Sequence, residues 1–188
     1  MRIAVVAVGI VLLAITGATA QGINDPELLA QLKKLFPTAA TFAAKSGTPP
    51  VYRAFGPAGA AAGQGELLGL AYWTTELEPL ERGFDGPIKM LVGLNTAGEI
   101  TGVIVTDHRE PYGYFSVDLP EWPRQFEGKS VRDAFKVGVD VDAISRATIS
   151  VTSASRAIRN ASRKVARAHL APPSAAAAPT AGGAPPAQ

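Results

Sequence analysis

The sequence predicts an α+β domain, with a small antiparallel sheet built around a central hairpin and flanked by an N-terminal and a C-terminal helix. Three observations carry this. Leucines at helical spacing follow a capping Asp25. Two β-branched runs face each other across Asn95-Thr96-Ala97-Gly98. A stripe of alanines and aliphatic residues, backed by arginines, follows Thr152.

In chain order, the first 20 residues have a basic Arg2, an apolar run from Ile3 to Ile15 and small residues ending in Ala18-Thr19-Ala20. This is the three-part layout of a secretory signal peptide cleaved after Ala20. The apolar run is shorter than the roughly 18 to 20 residues of a spanning helix, and an uncleaved anchor is the alternative reading. Asp25-Pro26, followed by Leu28, Leu29, Leu32, Leu35 and Phe36, reads as a capped amphipathic helix that Pro37 stops. A Gly/Pro/Ala-rich loop lies between Phe55 and Gly65, and Glu66 to Leu77 reads as a strand. The hairpin spans Ile88 to Thr106. Ser130 with Asp133 resembles a capping box and predicts a short helix through Phe135. Beyond Thr152, residues Ala154, Ala157, Ile158, Ala161, Val165 and Ala168 mark one face of a C-terminal helix. Residues 171–188 contain only Ala, Pro, Gly, Ser, Thr and Gln, a composition that predicts a disordered tail. The folded unit is therefore expected within residues 24–170.

At 188 residues the chain suffices for one domain with its own core. It has no cysteine, which excludes disulfides, thiolate metal sites and a cysteine nucleophile. A net charge of +2 argues against a general nucleic-acid binder. The charge is uneven, because no acid follows Asp142 while six basic residues lie between Arg146 and Arg167.

Few residues suggest chemistry outright. His108 and His169 are far apart, and Asp107 and His108 point to opposite faces of a continuing strand, so a divalent metal site is disfavoured. No Gly-x-Ser-x-Gly elbow is present. Asp140 and Asp142 read more readily as a solvated loop than as a general-base pair. Thr148, Ser150, Thr152, Ser153 and Ser155 are more informative, because they gather where the basic helix begins. A helix N-terminus offers free N–H groups and a positive dipole end, which suit a phosphate. Alternatively Thr152 or Ser150 is merely the N-cap.

The segment Asp142-Ala143-Ile144-Ser145-Arg146-Ala147-Thr148 resembles the flavinylation motif Asp-x-x-Ser/Thr-Gly-Ala-Thr of the exported FMN-binding domain family. That family includes periplasmic subunits of the sodium-pumping NADH:quinone reductase and of Rnf complexes, and the periplasmic domain of NosR, whose shape is closest. The hairpin sequence from Gly83 through Gly86-Pro87-Ile88, and the His108-x-Glu110-Pro111 element, are similar to the family's core. The resemblance covers about Glu66 to Arg167. It implies that Thr148 is esterified to the phosphate of FMN by a flavin transferase using FAD, with Asp142 and Ser145 as the recognition frame. It also implies, by analogy, that Gly86, Pro87, Ile88, His108, Glu110, Ala147, Ile149 and the Ser150–Ser153 turn surround the flavin. Two departures stand out. Arg146 replaces the family's glycine, which would supply a positive φ or close approach; Arg146 would hinder either role or pair with the phosphate. Tyr112-Gly113-Tyr114 replaces smaller residues, and the tyrosines are expected to pack on the sheet rather than stack on the flavin.

The resemblance thus implies an exported, periplasmic electron carrier with FMN on Thr148, more an electron-transfer flavoprotein than a substrate-specific enzyme. It would exchange electrons with separate donor and acceptor proteins and associate with a membrane complex. The rival expectation is an accessory module for maturing a periplasmic metalloenzyme, binding flavin loosely or not at all.

Overall fold

The computed structural model describes residues 23–57 and 65–170, so the expected signal peptide and tail lie outside the described residues. Helix α1 (Pro26–Leu35) starts as expected: the Asp25 carboxylate accepts from the N–H groups of Glu27 and Leu28, and Pro26 occupies the first turn. Five strands follow as an antiparallel sheet in chain order: β1 (Thr41–Ser46), β2 (Val51–Phe55), β3 (Leu67–Trp73), β4 (Lys89–Asn95) and β5 (Ile100–Asp107). The fold is α+β; β3 is the middle strand of the sheet, and the β4–β5 hairpin lies beside it with β5 at the edge and Gly98 supplying the positive φ of its turn.

Strand alternation divides the core in two. Leu70, Tyr72, Met90, Val92 and Leu94 face helix α4 (Thr148–Val165), whose Val151, Ala154, Ala157, Ile158, Ala161 and Val165 cover them. Fully burying Ile158 contributes about 1.5–3 kcal/mol. On the opposite face, Ala71 and Leu91 pack with Leu32, Leu35 and Phe36 of α1 and its C-cap. The Phe36 ring lies over Gly69 and Gly93, and Leu35 lies over Gly93 and Gly102. Three strands thus contribute bare backbone where α1 ends.

Three expectations need correction. The strand expected to reach Leu77 ends at Trp73, and Thr74–Leu77 forms the short helix α2. The Thr74 hydroxyl is buried and accepts from Met90 N at 3.2 Å, which ties the chain to β4 as it turns. The capping-box bonds at Ser130 form, with Ser130 N donating to the Asp133 carboxylate at 2.9 Å, yet no helix follows. Instead Phe135 takes a φ of 50° and stacks on Phe126 at 6.0 Å between ring centroids, inside the core. Asp140 holds that turn by accepting from Phe135 N and Lys136 N. Burial works to raise its carboxyl, but these N–H groups, with Lys129, outweigh it and leave it below the ordinary value.

The third correction concerns α4, which begins at Thr148 with Ala147 as N-cap, so neither Ser150 nor Thr152 caps it. Ser155 and Ser162 lie inside the helix, buried, and donate to the carbonyls of Val151 and Ile158 at 2.6 Å each. Ser162 also pairs with the Tyr72 hydroxyl at 2.6 Å. Burial pushes the Tyr72 phenol well above its ordinary value, with the Ser162 bond offsetting part of the rise. The folded state therefore holds this proton more tightly than the unfolded chain. Its contribution is fully present below about pH 10 and declines above it by about 1.4 kcal/mol per pH unit. Urea unfolding of the wild type is expected to show this alkaline loss relative to Tyr72→Phe. At pH 7 that variant is about 1 kcal/mol less stable.

Candidate functional site

Three segments converge at one end of α4: the Gly83–Gly86 loop ahead of β4, the residues after β5, and the turn that enters the helix. Phe84, Pro111, Tyr112, Arg146, Thr148, Ile149 and Ser150 line a cavity of about 250 Å³ there. Its apolar members stay unusually open for their size, with Phe84 68%, Ile149 57% and Tyr112 44% exposed.

Glu110 assembles this cavity. Its side chain is buried, and its carboxylate accepts from Phe84 N at 3.0 Å, Asp85 N at 3.1 Å and the Ser150 hydroxyl. A side chain on Gly83 would collide with this carboxylate, so glycine is required at that close approach. Glu110 N in turn donates to His108 Nδ1 at 3.0 Å. An amide can only donate, so Nδ1 is the acceptor and Nε2 carries the hydrogen toward Asp118 at 2.7 Å.

Thr148 opens the helix. The first intrahelical bond runs from Val151 N to Ala147 O, and Ala147 provides no side-chain cap. The first turn of α4 therefore directs backbone N–H groups outward beside an exposed Thr148 hydroxyl and the Arg146 side chain. Arg146 adopts a φ of 67°. This is the left-handed conformation that glycine adopts freely, and Arg146 adopts it at a cost of about 1–2 kcal/mol. Replacing it with Val should destabilise the protein by a further 1 kcal/mol or so, because a β-branched residue is disfavoured there. Arg146→Gly should stay within about 0.5 kcal/mol of wild type, since relieved strain offsets added unfolded-state entropy. Thermal unfolding of the two variants checks the order.

The structure brings Arg146, Thr148, Ile149 and Ser150 into the lining, with Ala147 buried behind them and Glu110 behind Phe84 and Ser150. Ser145 and Asp142 sit exposed on the approaching turn, where Asp142 N donates to Gln125 Oε1 at 2.6 Å. Gly86, Pro87 and Ile88 are not among the lining residues. Gly86, at φ 138°, lies against the Arg109 guanidinium, Pro87 is exposed, and the Ile88 side chain is in the core. His108 faces Asp118 in a separate shallow depression. Ser153 is buried one turn farther on, donating to Glu81 at 3.4 Å. The expectation that Tyr112 and Tyr114 pack on the sheet is overturned. Both remain at the surface, leaning on Phe115, and Tyr112 lines the cavity. Phe84 was missed because it lies in a loop, where no periodicity marks it, and Pro111, part of the His108-x-Glu110-Pro111 element, was not placed in the lining.

A further cavity of about 340 Å³ lies across the sheet, between the start of α1 and the Lys89–Asp107 pair. Its walls combine Tyr52, Trp73 and Leu28 with Asp25, Glu27 and Asp107, three carboxylates that suit a phosphate-bearing ligand poorly. Among the described residues there is no cluster of metal-ligating side chains.

Residues 83–163 match the family model described as FMN-binding domain, a segment that begins at the Gly83 loop and includes every residue lining the cavity. Among curated relatives, the chain is similar to a subunit of the ion-translocating oxidoreductase complex of Shewanella baltica, 36% identical over 89 residues, 42% of each chain. The corresponding protein of Vibrio vulnificus is 31% identical over 88 residues, again 42% of each. The match spans less than half the length of these relatives.

Proposed function

On the premise that residues 83–163 are an FMN-binding domain, we propose that the protein carries FMN as a phosphoester on Thr148 and passes electrons between partner proteins. The observation that carries this reading is the convergence at Thr148 of a free hydroxyl, an uncapped helix start, an arginine and an apolar cavity. The residues present fit the cofactor. The positive end of α4 and Arg146 suit the phosphate, and Phe84, Tyr112 and Ile149 offer apolar surface to the ring. At about 250 Å³ the cavity is slightly smaller than the ~300 Å³ of the smallest ligand sites, so it suits partial enclosure of the cofactor.

FMN, when bound, supplies reversible electron-transfer chemistry, and the protein supplies its placement and electrostatics. Thr148 contributes the ester oxygen. Arg146 and the first-turn amides offset the phosphate charge. Phe84, Tyr112 and Ile149 exclude water while remaining at the surface, which keeps the cofactor within reach of partners. Asp142 and Ser145, exposed just upstream, are available to a flavin transferase. We place the protein in the periplasm, exported by residues 1–20 and associated with a membrane redox complex. The Shewanella and Vibrio relatives, named as parts of an oxidoreductase complex, support that association.

When exported together with a flavin transferase, the denatured protein is expected to show in-gel flavin fluorescence and the added mass of one ester-linked FMN. An unmodified mass would rule out covalent attachment. Titrating the unmodified protein with free FMN would then separate a loosely binding carrier from an accessory module that binds none.

A further inference from the structure

We infer that Glu110 is a positioning residue that also sets the cofactor's electrostatic environment, holding the reduction potential of the bound flavin low. This rests on FMN occupying the cavity beside Thr148. The carboxylate stands directly behind the cavity wall, since two of its three donors, Phe84 N and the Ser150 hydroxyl, belong to lining residues, and the next residue, Pro111, is a third. It is 7% exposed and, among the described residues, forms no ion pair; the remaining segments contain no Lys and only Arg2. Its donors are two amides and one hydroxyl, all neutral.

Two consequences follow. The carboxylate fixes the Gly83–Gly86 loop against the first turn of α4, so Phe84 and Thr148 keep one relative position. Its negative charge, weakly screened by the surrounding protein, also opposes the arrival of electrons at the site. Arg146 on the cavity rim and Arg109 against Gly86 are both exposed, where solvent screens them more. The nearby Asp118 differs from Glu110 in two respects: it is exposed, and it is paired with His108.

The test compares flavin potentials in wild type, Glu110→Gln, Ser150→Ala and Asp118→Asn, each loaded by flavin transferase and verified by mass, using equilibration with a redox dye. Gln keeps the shape and removes the charge. At the potential that half-reduces the wild type, the Glu110→Gln flavin is expected to have a reduced-to-oxidised ratio at least threefold higher. Ser150→Ala removes one neutral donor and leaves the charge less compensated, so its ratio is expected to fall below that of the wild type. Asp118→Asn, which removes a negative charge that solvent screens, should shift the ratio less than Glu110→Gln does. Equal potentials in loaded wild type and Glu110→Gln would overturn the inference. If Glu110→Gln does not fold, a Ser150→Ala ratio equal to or above that of the wild type would overturn it. A wild type without ester-linked FMN would overturn the attachment alone, and the same comparison would then be made with titrated FMN. Failure to bind FMN in either way would overturn both.

Discussion

Thr148→Ala is expected to lose in-gel flavin fluorescence and the FMN mass completely, while Thr152→Ala keeps both. The contrast follows from where the hydroxyls of this serine- and threonine-rich segment lie. Ser150 is buried and engaged with Glu110. Ser153 and Ser155 are buried, and their oxygens already donate to Glu81 and to the Val151 carbonyl. Thr152 is half-buried one turn along the helix, away from the cavity lining. Thr148 alone among these combines exposure, a place in the cavity wall and the first position of α4. Removing its oxygen removes the acceptor of the phosphoryl group, and none of these other α4 hydroxyls is placed to replace it. The Thr148 methyl and hydroxyl are solvent-facing, so the variant should unfold within about 0.5 kcal/mol of wild type. Loss of flavin with unchanged stability would separate attachment from folding.

The second large effect is structural. Gly69→Ala is expected to cost about 3 kcal/mol, on the order of 10 °C in melting temperature. A Cβ at this position would meet the Leu94 carbonyl oxygen and stand 2.5 Å from Phe36 Cε1. Neither can yield cheaply. The carbonyl belongs to β4, paired with β3 at this point, and the Phe36 ring is wedged between α1 and the sheet, 4% exposed. Relief requires the end of α1 to lift, which exposes Leu32 and Leu35 with it. Urea unfolding reads the loss as a lower midpoint. A midpoint equal to that of wild type would contradict the seating of Phe36 on bare backbone.

Elements whose signal is local were legible in the sequence. Asp25-Pro26 marks the start of α1 to the residue, and the β-branched runs on either side of Asn95-Thr96-Ala97-Gly98 mark the β4–β5 hairpin. The small-residue stripe marks α4, although its start lies four residues before Thr152 because Ala147, which has no capping side chain, begins it. Strands β1 and β2 escaped notice. β1 has one buried side chain, Phe42, among alanines and polar residues, and β2 has only five residues, so neither holds enough periods of alternation to register. Ser130 shows the opposite failure. Its local bonds form as read, but burying Phe135 against Phe126 overrides the helix they would start. The candidate site divides in the same way. Its hydroxyls and Arg146 lie in one continuous segment and could be read, whereas the carboxylate of Glu110 reaches partners 25 to 40 residues away. No local pattern encodes such a contact, and Phe84, held by it, was missed for the same reason.

The claim that FMN is esterified to Thr148 is tested most directly by tandem mass spectrometry of the protein exported with a flavin transferase. Trypsin cuts after Arg146 and Arg156, which releases Ala147–Arg156 with Thr148 as its second residue. The expected spectrum places one FMN on Thr148, with Ser150, Thr152, Ser153 and Ser155 unmodified. An unmodified peptide, or FMN on any other hydroxyl, would contradict the assignment.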